Sequence, residues 1–107
     1  MSQYVLIESR DPFESRDTDF VEQTAITIKE RGHLVTVFLL QNGVFAARKT
    51  TPRLQRLTDA GVTLLADDFS LRERGIKAAE LAQGVQESSI NSLVDTITQP
   101  DTKAIWH

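Results

Sequence analysis

Apolar runs and amphipathic segments alternate along the whole of this 107-residue chain, and that alternation restricts its fold more than any motif does. Residues 3–8 (Gln-Tyr-Val-Leu-Ile-Glu), 34–40 (Leu-Val-Thr-Val-Phe-Leu-Leu) and 62–66 read as strands, nearly continuous in apolar character and so suited to burial on both faces. After the first comes a polar loop containing Asp11-Pro12. A helix follows, capped by Thr18 or Asp19, with Phe20, Val21, Ala25 and Ile28 on one face and a left-handed stop at Gly32. After the second strand, Gln41-Asn42-Gly43 marks a turn before a short helical piece over 44–48. Thr51-Pro52 then opens a helix on Leu54, Leu57 and Ala60, closed by Gly61.

The third strand runs into a helical stretch from Phe69 to Arg74-Gly75, then a helical turn over 78–82 and a very short strand over 85–87. Ser88 or Ser89 caps a last helix whose Ile90, Leu93, Val94 and Ile97 fall at helical spacing. Pro100 stops it, and residues 103–106 make a final strand. Such alternation calls for right-handed crossovers. The expected fold is therefore a three-layer α/β sandwich, Rossmann-like or flavodoxin-like, around a mainly parallel five-stranded sheet with strand 34–40 at its centre. One domain spans 1–107. A domain this short covers its faces thinly, so a homo-oligomer is expected.

Composition removes several function classes. The chain has no cysteine, which excludes thiolate metal sites and thiol redox chemistry. Twelve basic against fifteen acidic residues give a net charge of −3 without a long block of either sign, so no nucleic-acid footprint is visible. The longest apolar run, 34–40, is far too short for a membrane span, and no signal-peptide pattern opens the chain, so a cytoplasmic location is expected.

In an open parallel sheet the loops after the strands meet at one edge, where ligands bind. That edge is expected to collect Ser9 and Arg10, then Gln41 and Asn42, then the adjacent acids Asp67 and Asp68. Two carboxylates beside amides and an arginine suit a small polar ligand or a divalent cation. The structural alternative is that an acid after a strand caps the next helix, a role that fits Asp68. A general base at Asp67 is a third possibility, which needs a closed pocket.

Other chemistries lack support. No Gly-x-Gly-x-x-Gly follows the first strand and no Gly-Lys-Ser/Thr is present, so neither dinucleotide nor nucleoside triphosphate is implied as a cofactor. A phosphoacceptor arrangement needs a lysine at the site, and Lys103 lies at the opposite edge. His33 belongs to that opposite edge too, His107 has no obvious partner, and Ser70 has no placed base, which argues against a triad or a zinc site. Trp106 either closes the core or anchors an oligomer contact.

Three segments carry a family likeness: 32–44 (Gly-His-Leu-Val-Thr-Val-Phe-Leu-Leu-Gln-Asn-Gly-Val), 57–62 (Leu-Thr-Asp-Ala-Gly-Val), and 66–76 ending in Ser-Leu-Arg-Glu-Arg-Gly-Ile. With the capped last helix and the Lys-Ala-Ile-Trp strand, the chain resembles the DsrE/DsrF-like family of sulfur-relay proteins, which includes subunits of the DsrEFH and TusBCD complexes. The resemblance implies a small parallel α/β fold and assembly as trimers or hexamers. In sulfur-carrying members a cysteine just after the third strand holds a persulfide. Counting back from Arg74-Gly75, Asp67 best matches that position here, or Asp68 if the loop differs by one residue. A carboxylate has no sulfur to accept a sulfane atom, and its charge repels a persulfide anion. The resemblance thus implies a non-catalytic, self-assembling or partner-binding subunit, with sulfur-relay proteins as possible partners.

Overall fold

The computed structural model describes residues 2–50 and 54–107. Five strands, β1 (Gln3–Glu8), β2 (Leu34–Leu39), β3 (Thr63–Asp67), β4 (Val85–Ser88) and β5 (Thr102–Trp106), form one sheet in the order β4-β3-β2-β1-β5. Every pairing is parallel, with Leu6 level with Val37 and with Ile105, and Leu39 level with Ala66. The sheet is wholly parallel, as the alternation of segments requires, and β2 lies at its centre.

Among the described residues, four helices connect the strands: α1 (Thr18–Glu30), α2 (Gln55–Asp59), α3 (Asp68–Glu73) and α4 (Ile90–Ile97). A tight 3-10 segment, Gln41–Ala47, follows β2, and a single 3-10 turn, Ala78–Glu80, precedes β4. Strands β1 to β4 march in one direction and β5 returns to the far side of β1. Crossovers of constant hand therefore place α4 alone on one face and the other helices on the opposite face. The packing follows that rule. Val21 and Ala25 of α1, Leu57 of α2 and Leu71 of α3 join Leu6, Val37, Leu39 and Leu64 in the larger core. Leu93 of α4 packs with Val5, Ile7, Phe38 and Leu40, which point the other way by strand alternation.

The two faces are unequally covered. Leu93 is the one buried residue of the eight in α4, while Ile90 and Val94 stay exposed. Trp106, paired with Ile7 in register and so on this same face, is 63% exposed. Of its two expected roles, closing the core of a single chain is the one the fold does not realise. No helix among the described residues is long and apolar enough to cross a membrane.

Several helix starts differ from expectation. Asp17, not Thr18 or Asp19, occupies the cap position of α1, and the Thr18 hydroxyl instead donates back to Ser15 O at 3.1 Å. Phe20 is half exposed and lies beside the His107 ring, with 5.9 Å between ring centres. The expected start at Thr51-Pro52 lies outside the described residues. Gly32, at φ +90°, ends α1 as its missing Cβ allows. The piece expected over 44–48 begins earlier, at Gln41. Gly43 makes this possible, since a side-chain carbon there would collide with the Glu8 carbonyl.

Candidate functional site

The carboxyl ends of β2, β3 and β5 surround an open cleft of about 520 Å³ on the α4 side of the sheet. Leu40, Gln41 and Asn42 contribute from the β2 turn, Asp67, Ser70, Glu73 and Arg74 from the β3–α3 junction. Phe69, Ile90 and Trp106 supply apolar walls.

Asp67 is the hinge of the polar floor. Strand alternation turns its side chain to the α4 face, and the chain then bends directly into α3 with Asp67 as the cap residue. Its Oδ2 accepts the Ser70 backbone N–H at 2.9 Å and the Ser70 hydroxyl at 2.7 Å. The Ser70 Oγ in turn accepts the Gln41 N–H at 2.8 Å. Gln41 sits at φ +51°, a left-handed conformation costly for a residue with a Cβ, and this bond helps hold it there. The β2 turn is thus tied to α3 through one serine hydroxyl.

Arg74 makes a second tie, donating from Nε and Nη2 to Asn42 Oδ1 at 3.1 and 2.9 Å and from Nη1 to Ser70 O at 3.3 Å. Its guanidinium lies 5.9 Å from the Phe45 ring centre. Asp67 itself is 3% exposed, and its second oxygen, Oδ1, has no hydrogen-bond partner.

Three of the six residues expected at the edge, Gln41, Asn42 and Asp67, meet in this cleft. Asp68 does not line it. The cap role expected of Asp68 belongs to Asp67, the last strand residue, whose extended backbone lets its carboxylate reach the Ser70 N–H. Asp68 is already helical and lies 3.8 Å from Arg72 one turn on. Ser9 and Arg10 sit at the end of β1. Both the N–H and the hydroxyl of Ser9 donate to His107 O, at 3.0 and 3.1 Å, and Arg10 pairs with Asp17 at 3.1 Å. Among the described residues, no three carboxylate or imidazole groups converge as a metal centre would require.

Ser70 and Arg74 were not among the expected site residues. Their helical spacing after Asp67 was the available signal, since positions three and seven residues on return to the start of the same helix face. Also missed was a partly buried pair at the β1–β5 boundary. Glu8, 4% exposed, receives His107 Nδ1 at 2.9 Å from Oε2 and 3.1 Å from Oε1, and the Arg10 N–H reaches Oε1 at 2.9 Å.

Comparison with solved structures finds the same fold. YchN from E. coli is similar over the whole of both chains, at 20% identity and a TM-score of 0.88. MTH1491 from Methanobacterium thermoautotrophicum, a protein of unknown function, also matches over both full lengths, at 21% identity and 0.80. BT1422 from Bacteroides thetaiotaomicron is 17% identical with a TM-score of 0.79, over 99% of this chain and 95% of that one. None of the curated proteins is detectably similar in sequence. The model of the DsrE/DsrF-like family matches residues 3–103, from β1 through α4 and into β5, so the segments around the cleft fall inside the match and the chain belongs to that family.

Proposed function

We propose that this chain is a cytoplasmic, non-catalytic member of a sulfur-relay-type assembly, one that self-associates and engages partner subunits without carrying sulfur itself. One observation carries the reading: a buried aspartate stands at the end of β3, where the family resemblance expects the persulfide cysteine. Its carboxylate is spent on capping α3 and fixing Ser70, a structural use of a position that carriers need for chemistry.

Self-association is supported by the thin cover on the α4 face. Ile90, Val94, Phe69 and Trp106 are all exposed there or at its cleft, a set of large apolar side chains that a lone chain leaves to water. A trimer or hexamer is the expected assembly. Size-exclusion chromatography with light scattering tests it, and a clean monomer at micromolar concentration would remove that part of the reading. Intact-mass analysis after exposure to a persulfide donor tests the other part. The expected spectrum has no covalent one-sulfur adduct, and such an adduct on the unaltered chain would refute the non-carrier assignment.

A further inference from the structure

The outer edge of β5 is an unfinished ladder. Asp101 O accepts the Gln3 N–H at 2.9 Å, the His107 N–H donates to Ile7 O at 2.8 Å, and His107 O accepts the Ser9 N–H at 3.0 Å. Residues 101 and 107 thus turn their peptide groups toward β1, and alternation gives the same direction to 103 and 105. Thr102, Ala104 and Trp106 face the other way. β5 is the last strand of the sheet, and among the described residues nothing bonds to the N–H and C=O groups of those three.

Proteins ordinarily protect such an edge with charge, proline, a bulge or an overlying element. Lys103 is the single charged residue of β5, and its ammonium turns inward over β1, 5.7 Å from the Tyr4 ring centre. Phe20 of α1, Ile105 and Trp106 leave apolar surface along this edge, 52, 36 and 63% exposed. The opposite edge strand, β4, exposes Gln86 and Glu87 instead.

We propose that β5 pairs antiparallel with β5 of a second copy across a two-fold axis at Ala104, joining two five-stranded sheets into one. The inference rests on the self-association reading and names its contact. One register makes the edge self-complementary. Centred on Ala104, the pairing sets Thr102 opposite the partner's Trp106, and every outward N–H and C=O of both copies is bonded. Lys103 then lies opposite the partner's Ile105, which its aliphatic stem covers. Centring one residue earlier opposes Lys103 to the partner's Lys103, a repulsive pair. Centring one residue later carries Thr102 past the end of the partner's β5. A closed assembly with such axes holds an even number of chains, so this contact selects a hexamer over a trimer.

Light scattering and sedimentation of the full chain test the proposal, and an even-numbered assembly is expected. Ala104→Pro removes an N–H that β1 does not use, a change that edge strands tolerate, and should halve the mass of the assembly. Because the chain has no cysteine, Ala104→Cys puts the only thiols of the assembly on its two-fold axes. Residues opposed in a hydrogen-bonded pair stand about 5.5 Å apart, within disulfide reach. Mild oxidation should cross-link this variant and leave Gln86→Cys, on β4, uncross-linked. An odd-numbered assembly, an even one whose mass Ala104→Pro leaves unchanged, or equal cross-linking of the two cysteine variants would give the edge to another occupant. Each of these overturns the proposal while self-association stands, whereas a monomer removes both. Should Ala104→Pro fail to fold, the cysteine variants decide the matter.

Discussion

His107 Nδ1 lies 2.9 Å from Glu8 Oε2, joining the ends of two parallel strands whose residues are 99 positions apart in sequence. Ile7 is level with Trp106, so Glu8 and His107 form the next pair along the same ladder. This is also where the strand order reverses, with β5 returning to the far side of β1. The contact satisfies a carboxylate that is almost wholly buried, and it fastens an edge strand that is otherwise mostly exposed.

Removing the imidazole should therefore expose the cost of the buried acid. His107→Ala is expected to destabilise the fold by about 1–3 kcal/mol, the usual penalty for a buried acceptor that loses its partner. Replacing both residues, as in Glu8→Leu with His107→Phe, should recover much of that loss. Urea denaturation of the two variants checks this. Equal destabilisation in both would show that the pair contributes through something other than polar satisfaction.

At the β3–α3 junction, Asp67→Ala removes the acceptor for the Ser70 N–H and hydroxyl and should cost about 0.5–2 kcal/mol. Asp67→Asn should cost distinctly less, since its amide oxygen still caps the helix. Asp67→Cys puts a thiol at the same place, and that variant alone is expected to gain a sulfane sulfur when mixed with a persulfide donor. Thermal melts and intact-mass spectra read these outcomes.

Gly43 is fixed by a neighbour rather than by its own backbone angles. Its Cα faces the Glu8 carbonyl so closely that Gly43→Ala must move either the 3-10 segment or the end of β1. A loss of about 1–3 kcal/mol is expected, as for overpacking elsewhere. Melting of the purified variant tests it, and a loss below that range would mean that the turn adapts freely.

On the α4 face, Trp106→Ala should weaken self-association by about 2 kcal/mol or more if this indole anchors the contact, as buried aromatic anchors do. Its 63% exposure in the single chain implies little loss of monomer stability. Sedimentation across a concentration series, beside a urea melt, separates the two effects.

Sequence pattern alone determined the order of elements, the parallel sheet and the central place of β2, because burial on both faces leaves its mark in unbroken apolar runs such as 34–40. It also placed Gln41, Asn42 and Asp67 at one edge, since each follows a strand directly. Which face each side chain would take was beyond it: a shift of one residue inverts the alternation, so the cap expected at Asp68 falls to Asp67 once the strand end is known. Tertiary structure alone decided that Asp67 is buried and half-satisfied, that Ser70 ties two loops together, and that Glu8 meets His107. Each depends on which strands lie side by side, and the returning path of β5 brings the two ends of the chain into contact.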